Sequence, residues 1–280
     1  MSHFCTVKCQ NAADTLRVTT MDLKGKNVII TGASSGIGRA AALEMARRGA
    51  NVVLAARRGE LLEKVAAECR ALGVRALAVI TDVTKPEDCE HLAEVAGPVD
   101  VLVNNAGFAI FGAVADAKTD DLRAMMDTNY FGTVNCTKAV LPAMLQQGSG
   151  TIVNVSSITG IMGFARMGGY CATKFAVIGF TESLRSEVMS RGVRVAMVCP
   201  GTTETEFFVK AERDMMPAAS KLMPGVSPER VARAICNAAE DGRYRRILPL
   251  LAAVYMRLKE HFPRFAHLLM RRTSSLLERR

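Results

Sequence analysis

Val28-Ile29-Ile30-Thr31-Gly32-Ala33-Ser34-Ser35-Gly36-Ile37-Gly38-Arg39 is the stretch on which the fold turns. Four β-branched residues run straight into a glycine-rich turn, and helical apolar spacing opens at Arg39. Glycine lets a backbone turn sharply and approach a bound group with no Cβ in the way. A helix starting there offers unpaired N–H groups and a positive dipole end to an anion. Gly32, Ser34, Ser35, Gly36, Ile37 and Gly38 are therefore candidate pyrophosphate contacts. The spacing differs from G-x-G-x-x-G, but strand, glycine turn and helix follow in the same order.

Outward from this stretch, short β-rich runs alternate with longer helical ones. Strands are expected at Val28–Thr31, Val52–Ala55, Ala76–Thr81, Val101–Asn104, Thr151–Val155 and Arg194–Cys199. Helical spacing covers Arg39–Arg48, Glu60–Leu72, Asp120–Gln146 and Tyr170–Ser190. Such alternation predicts right-handed crossovers and a doubly wound parallel sheet, an α/β/α sandwich of the Rossmann type. Neither linker nor repeat interrupts residues 22–250, so one domain over 21–250 is expected. It follows a flexible extension, 1–20, and precedes a basic amphipathic tail, 251–280. At 49% hydrophobic and 22% charged, the 280 residues exclude a disordered or collagenous chain. No uninterrupted apolar run reaches the about 18 residues of a spanning helix, and the first twenty residues lack a signal-peptide core. Eight scattered cysteines without a CxxC pair, and four histidines, read as free cytosolic thiols with no metal site.

The end of the second strand should choose between cofactors. An acidic residue there would hold a ribose 2′-hydroxyl. Here the run is Leu54-Ala55-Ala56-Arg57-Arg58, and guanidinium groups pair bidentately with phosphate. NADP(H) is expected over NAD(H), with Arg57 as first contact and Arg58 beside it. Asp82-Val83, after the third strand, is positioned for adenine or serves as a turn.

Several further motifs stand in order: Asn104-Asn105-Ala106-Gly107, Asn129, Ser156-Ser157, Tyr170-Cys171-Ala172-Thr173-Lys174 and Pro200-Gly201. With the glycine turn they resemble the short-chain dehydrogenase/reductase family in its single-domain form, over about residues 22–250. Tyr170 and Lys174, four apart, share a helical face. A nearby ammonium would lower a phenol pKa from about 10. The resemblance implies that Tyr170 is the general acid/base of a carbonyl/secondary-alcohol interconversion and that Lys174 holds the nicotinamide ribose. It implies that Ser157 hydrogen-bonds the substrate oxygen, with Ser156 as competitor, and that Asn129 holds a relay water. Asn105, Ala106 and Gly107 would let the cofactor cross the strand ends. Pro200, Gly201, Thr203 and Thr205 would pass beside the nicotinamide. Cys171 reads as packing or as a redox group. The alternative function is a catalytically silent NADP(H)-binding regulator or scaffold, which would not need Ser157, Tyr170 and Lys174 together.

The apolar residues Phe207, Phe208, Val209, Met215, Met216, Leu222 and Met223 suit an apolar substrate or an ordinary core. In the tail, Leu258, Phe262, Phe265, Leu269 and Met270 recur at helical spacing among arginines, and Pro263 must break the helix. Of the net charge of +9, +8 lies after residue 241: ten Lys/Arg against two Asp/Glu. The nearly neutral body argues against a nucleic-acid partner. The tail fits either an anionic membrane surface or packing on the body or a partner. A homodimer or homotetramer pairing through 120–146 and 170–190, located in the cytoplasm, completes the expectation.

Overall fold

The computed structural model describes residues 20–203 and 225–262. The segments 207–223 and 263–280, with Cys5, Cys9 and Thr205, lie outside them. Seven strands form one parallel sheet: β1 (Asn27–Thr31), β2 (Asn51–Ala56), β3 (Ala76–Ile80), β4 (Val101–Asn104), β5 (Gly150–Val155), β6 (Val193–Pro200) and β7 (Arg245–Leu248). Their order is β3-β2-β1-β4-β5-β6-β7. Six match the expected strands to within a residue or so. The seventh, Arg-Arg-Ile-Leu, is too short and too charged to stand out in sequence, and its pairing with β6 makes it a strand.

The strand order reverses between β1 and β4, where crossovers leave to opposite faces and a crevice opens at the strand ends. One face packs Ile30, Leu54, Val103 and Val198 against α1 (Gly36–Arg47) and α7 (Pro228–Asp241) through Met45 and Ile235. α2 (Gly59–Ala71) extends that layer with Leu62 and Val65. The other face packs Ile29, Leu102, Ile152 and Val195 against α3 (Pro86–Ala96), α5 (Gly132–Gln147) and α6 (Gly168–Val188), through Leu92, Met144 and Leu184. Burial on both faces is why the strands read as continuous apolar runs. A last helix, α8 (Leu250–His261), leaves β7 and ends where Pro263 requires.

The expected helix over Asp120–Gln146 is corrected. It divides into α4 (Thr119–Met126), one π turn (Asp127–Phe131) and α5. The π turn carries the buried Asn129, whose side chain bonds to a neighbouring loop. The extra residue in that turn re-aims the side chain away from ideal helical register.

Candidate active site

The glycine turn closes against the end of β4. A Cβ on Gly32, at φ +66°, would stand 2.8 Å from the Ala106 Cα; one on Gly38 would stand 2.2 Å from the Gly32 carbonyl oxygen. Gly38 thus serves close packing within the turn, while Gly32, Ser34, Ser35, Gly36 and Ile37 line the cleft itself. No side chain caps α1, so its first N–H groups remain for an anion. Thr31, which sequence reasoning passed over, ties the two loops together: its hydroxyl accepts from the N–H groups of Asn105 (2.9 Å) and Ala106 (3.0 Å). The Asn105 amide donates back to the Thr31 carbonyl at 2.9 Å.

The two arginines divide their work. The Arg58 guanidinium donates to the Ser34 hydroxyl at 3.0 Å and the Ser35 hydroxyl at 2.6 Å. Arg57 lies toward Asp82 across the cleft mouth. Burial works to raise the Asp82 carboxyl, but hydrogen bonds from Thr84 and the Arg57 charge hold it below its ordinary value. The Asp82 side chain accepts from the Thr84 N–H (3.1 Å) and hydroxyl (2.8 Å), so it is spent on a turn. Asp82 and Val83 both line the cleft, as do Asn105, Ala106 and Gly107.

At the other end of the cleft, β5 runs into Ser156-Ser157 and α6 brings Tyr170 and Lys174 opposite. Ser156 turns away and donates to the Lys174 carbonyl at 3.1 Å. Ser157 bonds to the Tyr170 phenol. Its oxygen also accepts from the Thr159 N–H at 3.1 Å, and its hydroxyl lies 3.3 Å from the Pro200 carbonyl. The strand's alternation thus separates the two serines. Lys174 Nζ donates to the Val155 carbonyl at 3.0 Å and lies 5.8 Å from the centre of the Tyr170 ring.

Both titratable groups are buried, and this corrects the expectation that the ammonium lowers the phenol. Burial raises the Tyr170 pKa above its ordinary value, against the opposing hydrogen bond from Ser157. Burial also pulls Lys174 down to about 8. Desolvation penalises both charged forms, so Tyr170 stays protonated at neutral pH.

Asn129 clamps a neighbouring loop. Its Oδ1 accepts from the Phe108 N–H (2.9 Å), and its Nδ2 donates to the Phe108 carbonyl (2.9 Å) and to the Thr173 hydroxyl (3.0 Å). Its own carbonyl accepts from the Thr133 hydroxyl at 2.9 Å. Asn129 therefore fixes the loop after β4 against α6.

Pro200, Gly201 and Thr203 line the cleft after β6; Thr205 lies outside the described residues. Cys171 is buried in a small cluster with Ala109, Phe111, Met125, Met167 and Tyr170, and burial raises its thiol pKa, which is the packing role. Phe108, Ile158, Phe164 and Met167 form an apolar wall near Tyr170. They come from irregular segments, where no periodicity marks them. The whole cleft has a volume of about 430 Å³.

A family described as short chain dehydrogenase matches residues 26–216. The chain belongs to the short-chain dehydrogenase family. Its relatives include a Bacillus subtilis (strain 168) protein named uncharacterized oxidoreductase YxnA, 36% identical over 267 residues. That match covers 90% of this chain and 75% of the relative. A Burkholderia phymatum short-chain dehydrogenase/reductase solved in complex with NAD superposes with TM-score 0.79 at 28% identity, over 88% of this chain and 96% of that one. An alcohol dehydrogenase from the archaeon Thermococcus sibiricus, complexed with 5-hydroxy-NADP, gives TM-score 0.71 at 28% identity, over 80% and 96%. This short-chain dehydrogenase is thus an oxidoreductase with a Rossmann-type fold, and both solved neighbours hold nicotinamide cofactors. The cradle fits such a cofactor, since Gly32 and Gly36 line the cleft without side chains and the start of α1 lacks a side-chain cap. Among the described residues, no group of His, Cys, Asp and Glu could hold a metal, and no helix is long and apolar enough to cross a membrane.

Proposed function

We propose that this chain is an NADP(H)-dependent reductase that interconverts a carbonyl and a secondary alcohol on an apolar substrate. The observation that carries this reading is the buried Ser157–Tyr170 hydrogen bond beneath the apolar wall of the cleft, with Lys174 behind it. When bound, the nicotinamide supplies or accepts the hydride at its C4. Tyr170, protonated at neutral pH, gives its Oη proton to the carbonyl oxygen and takes it back in the oxidative direction. Ser157 donates a hydrogen bond to the same oxygen as charge develops there. Lys174 reaches the nicotinamide ribose, and Asn129 holds the Asn105–Phe108 loop that the cofactor crosses.

At the adenosine end, Arg57 and Arg58 pair with a 2′-phosphate, and Ser34 and Ser35 orient Arg58 toward it. Asp82 and Val83 flank the adenine, and Pro200, Gly201, Thr203 and Thr205 flank the nicotinamide. The apolar substrate rests on Phe108, Ile158, Phe164 and Met167. A homo-oligomer pairs through α5 and α6, which is supported by the exposed rings of Phe131, at the end of the π turn that leads into α5, and Phe175 on α6. A cytoplasmic location belongs to the reading, and it suits the buried Cys89 and Cys136 thiols, which share a hydrogen bond at 3.5 Å. Peripheral membrane contact through the tail, 251–280, is part of the reading, supported by the +8 of charge after residue 241.

The test is NADPH oxidation by the purified full chain across ketones, aldehydes, steroids and quinones. Consumption with apolar carbonyls is the expected result. Tight NADPH binding with no turnover across the panel would leave a cofactor-binding regulator instead.

A further inference from the structure

We infer that Thr173 is a positioning residue of the reaction: its hydroxyl ties the loop that carries the Phe108 wall to the helix turn that carries Tyr170. Wall and proton donor then move as one body. The inference deepens the reading of Tyr170 as the proton donor to a carbonyl, and it rests on that reading.

Tyr170 stands in the first turn of α6, and that turn is poorly held by its own sequence. It opens with Gly168 and Gly169, and glycine is among the weakest helix formers. Met167, at the N-cap, makes no side-chain hydrogen bond to the turn, and no acidic residue follows to meet the helix dipole. The second glycine answers to packing instead. A Cβ on Gly169 would stand 2.4 Å from Leu122 Cδ2 and 2.7 Å from Met125 Cε, both on α4. The place of the phenol therefore depends on groups beyond the helix's own hydrogen-bond ladder.

Thr173 supplies such a group. Its side chain is buried, and its hydroxyl donates to the Tyr170 carbonyl at 2.8 Å while its oxygen accepts from Asn129 Nδ2 at 3.0 Å. A threonine hydroxyl bonded back onto the preceding turn is common inside helices. The second bond is what sets Thr173 apart, because it leaves α6 for the π turn. Asn129 spends the rest of its amide on a single residue: Oδ1 accepts from the Phe108 N–H and Nδ2 donates to the Phe108 carbonyl, each at 2.9 Å. Both Nδ2 hydrogens are thereby used. A directional line runs from Phe108 through Asn129 and Thr173 to the backbone of Tyr170.

The loop has other ties. The Ile110 N–H lies 3.2 Å from Met125 Sδ, the Gly112 N–H donates to the Arg166 carbonyl at 2.9 Å, and the Phe111 ring meets the Tyr170 ring edge-on at 6.5 Å. None of these is a hydrogen bond to α6. Phe108 sets where an apolar substrate rests and Tyr170 sets where its proton comes from, so the line through Thr173 fixes one against the other. Misplacing reacting groups by about 1 Å costs on the order of 10²-fold in rate.

The experiment compares two variants of the full chain with the parent. Thr173→Val keeps the shape of the side chain and removes the hydroxyl; Thr173→Ser keeps the hydroxyl and removes the methyl. NADPH oxidation with an apolar ketone, NADPH titration, and backbone amide exchange without substrate are measured for each. Thr173→Val should lower kcat roughly tenfold to a hundredfold while NADPH affinity stays within about threefold. It should also speed exchange in residues 105–112 and 168–174 together. Thr173→Ser should stay within about twofold of the parent throughout. A packing role alone gives the reverse order, with Thr173→Ser the worse variant, and overturns the inference. So does a loss of NADPH affinity as large as the loss of kcat. The exchange arm is read without turnover, so the two failures separate: a parent that reduces no carbonyl sinks the reductase reading, and unchanged exchange in residues 105–112 of Thr173→Val sinks the tie.

Discussion

The two ends of the cleft are made in different ways. The end proposed for adenosine is local: Gly32–Gly38 and Arg57–Arg58 are contiguous stretches at the ends of neighbouring strands β1 and β2. It offers main-chain groups and partly exposed guanidinium groups, with Ser34 and Ser35 bonded to Arg58. The end proposed for the nicotinamide is assembled from distant pieces, with Ser157 just past β5, Tyr170 and Lys174 from α6, and Asn129 from a π turn. Its ionisable groups are buried, and burial moves Tyr170 up and Lys174 down. Affinity can be built from exposed charge and free N–H groups, whereas proton transfer needs groups whose protonation is set by desolvation.

That contrast breaks first at Tyr170. Tyr170→Phe should lower kcat by about 10²–10⁴-fold while NADPH affinity, measured by fluorescence titration, stays within a few-fold. Equal losses in both would mean that the phenol is part of cofactor binding rather than chemistry.

Gly38→Ala tests how local the adenosine end is. Its new Cβ would meet the Gly32 carbonyl oxygen at 2.2 Å and must push the turn open. Loss of about 1–3 kcal/mol of stability, read by urea unfolding, is expected, together with weakened binding of both NADPH and NADH. An unchanged unfolding midpoint would show that the turn has slack.

Arg57→Ala and Arg58→Ala should each weaken NADPH by about 1–3 kcal/mol and leave NADH nearly untouched. Arg58→Ala also releases Ser34 and Ser35, so a small effect on NADH is expected from that variant alone. Isothermal titration with both cofactors separates the two arginines, and parallel loss for both cofactors would remove the 2′-phosphate assignment.

The smallest expected effect is a pH dependence. Lys174 is held at about 8 in the folded chain against an ordinary value of 10.5. Between these values the unfolded chain keeps a proton that the folded chain has lost, so the Lys174 contribution to stability rises with pH through this window. The buried thiols of Cys69 and Cys199, pushed up to about 11 and about 12, act in the opposite sense there, because the unfolded chain loses those protons first. The Lys174 part is therefore read as a difference: between about pH 7.5 and about pH 9.5 the urea midpoint of the parent should gain on that of Lys174→Met. The raised Tyr170 pKa acts in the opposite sense nearer pH 10, which sets the upper limit of the measurement.

Local pattern was enough for much of this protein. The order of strands and helices, the glycine turn between β1 and α1 and the arginines after β2 could be read from sequence because each is a short contiguous signal: apolar runs, glycine spacing, and charge at a strand end. β7 escaped because Arg245-Arg246-Ile247-Leu248 becomes a strand only through pairing with β6. Tertiary structure decided the rest. The resemblance favoured Ser157 over Ser156, and tertiary structure added what each hydroxyl meets: Ser156 the Lys174 carbonyl, Ser157 the Tyr170 phenol. Asn129 became a clamp because the π turn aims its amide at Phe108. The protonation of Tyr170 and Lys174 followed from desolvation, which depends on everything packed around the pair and is written in no single stretch of the chain.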